Sequence, residues 1–514
     1  MPFSQPDLHA SPFTVLLSSN DPPSDIDTKA VGDFLQVRLT ELSRYDEEIA
    51  SFTALLNRLT NERLHMKEYI TAHQGILSPI RKFPSEILAE IFLRTLDDHY
   101  DVFDMERGPW ALGRICRRWK DVSRSCPALW TSLSIESLHL QPSFRRSRLP
   151  GILKEVLALS GNQELDIRYS LQSLIMDDND IFPSKDLWVT MRSLFWDILQ
   201  QLLDMLVHHS MRWRNATFVI PFKLGRRLQN AKGRLSSLVS FDLSACEGLE
   251  EDGSFDSETI DVLSVVPKLQ DLTVTSVPDD MLLSLSWSQM RHLSHDFEAS
   301  IEDHLRLLTE APLLETYMAG LHDLSPLENR QLHCTHSSLR HLELSCQDSS
   351  PTLLQYLTCP ALEELSLESY TTDDFSQPLY EFGDRSRCPL RQLSVKATYI
   401  RTLEFLESLA SKWDGWSHDL FPGLAVFSMS IEYAGQDTLE ILDSVIYIIK
   451  ARWNAGASSG LRSVSLVIGA DAFSGSDLED ELHIEDELDI LYQFKEDGLD
   501  VNLKRNGLWF IYVH

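Results

Sequence analysis

Apolar residues in this chain follow three successive rhythms. In the first, Leu35, Leu42, Ile49, Leu56, Arg63 and Ile70 recur every seven residues, and Arg38, Tyr45, Phe52, Leu59 and Met66 recur offset by three. Nine of these eleven positions are apolar, and neither Pro nor Gly intervenes between Asp33 and Gln74. A period of about 3.5 predicts a long helix with a narrow apolar seam over residues 31–75, ended by Gly75. Such a helix either lies along its own chain or self-associates as a coiled coil, and the pattern fits both.

The second rhythm runs from Ile80 to Leu133. Pro84 has no N–H to lose at a helix start, Glu86 complements the positive helix end, and Ile87, Leu88, Ile91, Phe92 and Leu96 give a broad apolar face. A polar connector, 97–107, leads to Gly108 and Pro109. These open a second helix in which Leu112, Ile115, Cys116, Trp119 and Val122 keep helical spacing until Cys126 and Pro127 break it. Two short helices with faces this wide cannot bury everything against each other, so part of the apolar surface is expected to meet another polypeptide.

In the third rhythm an L-x-x-L-x-L pattern recurs. Its anchors begin at Leu238, Leu269, Met290, Leu314, Leu339, Leu362, Leu390, Leu424 and Leu461, separated by 31, 21, 24, 25, 23, 28, 34 and 37 residues. Helical stretches fall between them, among them 301–308, 353–357 and 439–450. Earlier strands are expected at 132–135, 164–169 and 216–220, with an amphipathic helix over 188–208. One strand and one helix per repeat of this length is the period of an irregular leucine-rich-repeat-like α/β solenoid, in which each unit is covered by its neighbours. Alternation would point Val239, Asp242, Asp271, Thr273, Glu343, Glu364, Ser366 and Ser394 outward, where they would meet a client.

Composition narrows the functional classes. With 46 Lys and Arg against 77 Asp and Glu, the formal charge is −31, which argues against nucleic acid and anionic membrane as partners. The seven cysteines are scattered, the first basic residue is Lys29, and no apolar run is long enough to span a bilayer. The expected location is therefore cytoplasmic or nuclear. Residues 1–30, rich in Pro and Ser, read as a flexible segment. Residues 471–500 carry twelve carboxylates against Lys495 alone and read as a solvated acidic stretch. The closing 508–513 is strand-like.

No catalytic constellation stands up. Gly456, Ser458 and Gly460 fit a nucleophile elbow in spelling, but a helix precedes them and a strand follows, the reverse of what that turn requires. His333, Cys334, His336, His341 and Cys346 lack a zinc-site framework, and no phosphate loop or dinucleotide motif occurs. The chain reads as a non-enzyme without cofactor or metal.

The segment 76–135 resembles an F-box. Phe83-Pro84-Ser85-Glu86-Ile87-Leu88 matches its opening, Ile115-Cys116-Arg117-Arg118-Trp119 its later helix, and Pro127-Ala128-Leu129-Trp130 its closing turn, in that order. The heptad helix upstream also looks like that of many fungal F-box chains. Phe83 stands where Leu is commoner, and the connector after Leu96 is unusually long. The resemblance implies a substrate receptor of an SCF-type (cullin–RING) ubiquitin ligase. Its F-box would bind the Skp adaptor, and through it the cullin scaffold, while the repeat region, 136–514, would bind a protein client. The adaptor contacts it implies are Phe83, Pro84, Ile87, Leu88, Ile91, Cys116, Trp119 and Trp130. The alternative is a coiled-coil and repeat scaffold with no ubiquitin role, self-associating through residues 31–75.

Overall fold

The computed structural model describes the chain except for residues 1–10, 97–98, 137–146, 173–184, 246–260, 277–284, 297–298, 322–332, 347–350, 370–375, 400–420, 434–437, 454–459, 469–488, 506–507 and 510–514. It forms two compact units, Met1–Leu88 and Ala89–His514. Ser458 and most of the acidic stretch lie outside the described residues.

The first unit is dominated by one helix, Asp25–Ile76, of 52 residues. It starts earlier than the heptads imply because Ser24 caps it, accepting a hydrogen bond from the Asp27 N–H, while Asp25 and Asp27 favour the positive end. A short helix, Thr14–Leu17, precedes it, and Phe13 packs edge-on against Phe34 at 5.5 Å. Gly75 does not end the helix but lies in its last turn. The Leu77 N–H closes that turn on the Gln74 carbonyl at 3.0 Å, and Pro79 starts a separate short turn, Pro79–Lys82. No residue of the long helix is buried.

The second unit opens with helical segments. The helix Ser85–Thr95 begins in the first unit and ends in this one; Gly108–Ile115 and Arg117–Ser125 follow, then a turn, Pro127–Trp130. The single helix expected after Pro109 is in fact two. Cys116 is fully extended (φ −159°, ψ 167°), and its Sγ accepts from the Trp119 N–H at 3.4 Å, so it ends one helix and caps the next. Gly108 has φ +56°, and a Cβ there would come within 2.5 Å of the Tyr100 ring, so glycine alone fits.

From Ser132 onward the chain builds a sheet. Its strands are β1 (Ser132–Ile135), β2 (Leu165–Ser170), β3 (Trp213–Ile220), β4 (Ser240–Ala245), β5 (Asp271–Thr275), β6 (His292–His295) and β7 (Thr316–Leu321). After β8 (Cys334–Thr335) come β9 (His341–Cys346), β10 (Leu357–Thr358), β11 (Glu364–Ser369), β12 (Gln392–Tyr399) and β13 (Val426–Tyr433). The last are β14 (Ser463–Ile468), β15 (Asp500–Arg505) and β16 (Leu508–Trp509). β8 and β10 pair only with each other; the others form one 14-stranded sheet in chain order. Thirteen of its strands run parallel, and β16 turns back antiparallel on β15. Helices such as Leu149–Leu159, Lys185–His208, Ile301–Glu310 and Thr438–Arg452 lie between successive strands, as parallel pairing requires. The fold is α/β.

The repeated apolar pattern sets the register. Ala216, Phe241, Leu272, Leu293, Tyr317, Leu342, Leu365, Leu393, Phe427, Val464 and Val501 stand side by side on consecutive strands, and all are buried. A second buried row lies two residues on, with Leu243, Val274, Leu344, Leu367, Val395, Met429 and Leu466. Where strands begin, opposite charges meet across neighbours: Arg291 with Glu315, and Arg340 with Glu363 at 2.7 Å.

Both sheet ends are occupied. β16 covers part of β15, and the connector before Gly108 lies along β1, with the Val102 N–H on the Ser134 carbonyl at 2.8 Å and the Ser134 N–H on the Tyr100 carbonyl at 3.2 Å.

One polar cluster is built into the core. The Tyr317 hydroxyl hydrogen-bonds His304 Nδ1 at 2.6 Å and His295 Nε2 at 3.0 Å, and the two imidazoles stack at 5.4 Å. Burial penalises the charged rings, holding His295 well below the ordinary histidine range and bringing His304 to about 4. The unfolded chain takes up these protons below about pH 6.5, whereas folded His304 does so only near 4. The stability owed to His304 therefore falls as pH drops from about 6.5 to about 4 and levels off beneath that. His304→Gln is expected to flatten the fall in urea midpoint between neutral and mildly acid pH; an unchanged slope would remove the pair as its source.

Candidate functional site

Two regions carry surface that the fold itself does not use. The first is the helical segment between Phe83 and Trp130. In the first unit, Phe83 and Ile87 are exposed by 37% and 47%, Pro84 is also exposed, and Leu88 is completely buried. Pro84 stands just before its helix rather than in it, and its carbonyl accepts from the Leu88 N–H at 3.1 Å.

In the second unit the core of the segment is formed by Phe92, Trp130, Leu112, Val122 and Leu129, all buried. Phe92 packs on the Trp119 ring at 4.8 Å, joining the first helix to Arg117–Ser125. Trp130 is held from two sides: its Nε1 donates to the Ser123 carbonyl at 2.7 Å, and its ring meets Trp110 edge-on at 4.8 Å. Of the eight residues singled out for adaptor contact, Leu88 and Trp130 are thus core side chains, with no surface to offer a partner. Ile91 and Trp119 are half-buried, while Phe83, Pro84, Ile87 and Cys116 are open.

Two further apolar side chains stand in water. Ile115 is 61% exposed and Leu93 40%. Helical spacing put Ile115 on the apolar face of one continuous helix; with the break at Cys116 it ends its helix and is exposed. Leu93 lies off the Ile87–Ile91 line, and no motif marked it. Around Ile115 the exposed polar residues are mostly basic: Arg114, Arg117, Arg118 and Lys120, with Arg124 paired to Glu155 at 2.6 Å.

The second region is the outward row of the sheet. Val239, Asp242, Asp271, Thr273, Glu343, Glu364, Ser366 and Ser394 are all half-buried, between the buried anchors. His341 hydrogen-bonds Glu364 at 2.8 Å and lies 3.8 Å from Glu343; these two carboxylates, Glu343 foremost, raise its pKa. His292 lies 3.7 Å from Asp271 and 3.0 Å from the Thr316 hydroxyl. Burial raises the Asp242 carboxyl, which Arg168 and Ser244 partly offset.

The residues first weighed as metal ligands are dispersed. His336 bonds the Ala311 carbonyl at 2.9 Å and accepts from the Leu339 N–H, as a core residue does. Cys346 is buried, its thiol pushed up to about 12, and His341 faces the carboxylates. Among the described residues no group of three His, Cys, Asp or Glu side chains is placed to hold a metal ion, and no helix is long and apolar enough to cross a membrane.

No protein-family model and no curated protein sequence matches the chain.

The division between core and surface is directly measurable. Trp130→Ala is expected to cost about 3–5 kcal/mol in urea unfolding, and Ile115→Ser to stay within about 0.5 kcal/mol of the parent. Equal effects would mean that the burial of these two residues is misassigned.

Proposed function

We propose that the chain is a non-catalytic substrate receptor of an SCF-type ubiquitin ligase. In this reading the segment from Phe83 to Trp130 is an F-box that docks a Skp adaptor, and the sheet is the client-binding face of a leucine-rich-repeat-like solenoid. The carrying observation is Ile115. A large aliphatic side chain at the head of the Cys-Arg-Arg-Trp motif stands 61% in water, although the segment has a closed core of its own. Ile87, Leu93 and Phe83 add to the exposed apolar surface, and covering each such side chain is worth roughly 1.5–3 kcal/mol. Leu88, Phe92 and Trp130 are buried and add nothing to that surface.

The basic residues around Ile115 suit an adaptor whose apolar groove is rimmed by carboxylates, an arrangement that favours fast and oriented encounter. The solenoid reading is supported by strands laid in chain order, all parallel until the last, each bringing two or three anchors to the same buried rows. On the outward face, hydroxyl and carboxylate side chains supply the chemistry for a client with basic or hydrogen-bonding character. The chain's contribution to ubiquitin transfer is proximity: a client lysine held beside the charged conjugating enzyme reacts as if intramolecularly.

The test is co-expression of the full chain with a recombinant Skp adaptor. The parent is expected to co-purify with it, and Ile87→Asp with Ile115→Asp to abolish co-purification while leaving the thermal unfolding transition in place. Failure of the parent to co-purify, or undiminished capture by the folded double variant, would overturn the reading.

A further inference from the structure

The helix Asp25–Ile76 runs for 52 residues, about 78 Å at the usual rise, and buries none of them. Isolated helices draw little stability from propensity alone; most of it comes from covering an apolar face. The ion pairs along this helix do not replace that cover. Arg38–Glu41, Arg44–Glu48 and Arg58–Glu62 are all exposed, and each puts the cation ahead of the acid, the weaker orientation. Meanwhile Leu35, Leu42, Ile49, Leu56 and Ile70, with Tyr45, Phe52, Leu59 and Met66, form a continuous exposed seam at a period of about 3.5.

We propose that this seam is closed by a second copy of the same helix, parallel and in register, so that the protein is a homodimer. Charge placement selects this pairing. In the heptad frame the first set takes the a positions and the second the d positions, with Glu62 at g and Lys67 at e. Parallel and in register, Glu62 of each copy meets Lys67 of the other, and Arg63, a seam position, reaches Glu62 of the other copy. The unfavourable contact of that arrangement, Glu41 with Asp46, is relieved by Arg38, which already holds Glu41 at 2.7 Å. The antiparallel pairing that overlaps the seam in full sets Arg38 opposite Arg63 in two core layers and Glu41 beside Glu62, like charge on like. Two arginines on the seam also favour two strands over three. Their heads reach solvent at the edge of a pair, whereas a three-stranded core would enclose them. The inference does not depend on the adaptor reading.

The experiment is sedimentation equilibrium of the full chain across the micromolar range. A dimer is expected, with Ile49→Glu plus Leu56→Glu weakening it by at least about 100-fold and Ala54→Glu, on the opposite face, leaving it intact. Unchanged strand signal in circular dichroism keeps the comparison valid. Orientation is read by mild oxidation: Ile70→Cys is expected to cross-link to itself above the level of the parent, whose own cysteines set the background. A monomeric parent, a dimer indifferent to the seam substitutions, or a Cys that links only to a Val31→Cys partner would each overturn the proposal.

Discussion

A parallel strand cannot hide its apolar side chains alone. Each strand of the sheet brings two or three of them to one face, and they are covered only by the strands beside it and by the helix or turn that leads to the next. This mutual covering fixes the rest of the second unit. It sets the register that aligns Phe241, Leu272, Leu293, Tyr317 and Leu342, and leaves the alternate positions half-buried between them. Connection lengths can vary widely, because a longer crossover changes nothing in the row of anchors.

That constraint also explains which parts of the molecule were legible from residues alone. Repetition averages out local ambiguity, so every anchor from Leu238 to Leu466 falls on the buried side, and the outward positions fall where alternation puts them. The helical segment has no such redundancy. Helical spacing from Leu112 to Val122 looks unbroken, yet one extended residue, Cys116, splits it and turns Ile115 outward. A single backbone torsion leaves no trace in an apolar periodicity. The same limit applies to Trp130. Its type and motif suggested a contact residue, but a hydrogen bond to a main-chain carbonyl seven residues earlier makes it a core residue.

Burial sorts the side chains of the segment into a core and an exposed set. Phe92 and Trp130 are buried, Trp119 packs on Phe92, and Leu93 and Ile115 stand exposed with Ile91 half-buried. A stiff presenting surface loses little conformational freedom on binding, so more of the gain from covering apolar area remains as affinity. Phe83 and Ile87, exposed in the first unit, supply apolar area of the same kind.

The connector between the first two helices of this segment, from Tyr100 to Val102, gives its own backbone hydrogen bonds to the first strand of the sheet. With β16 turned back on Lys504 and Arg505 at the other extremity, part of the ladder at each border is already paired. The main-chain groups paired in this way are withheld from edge-to-edge association with another sheet.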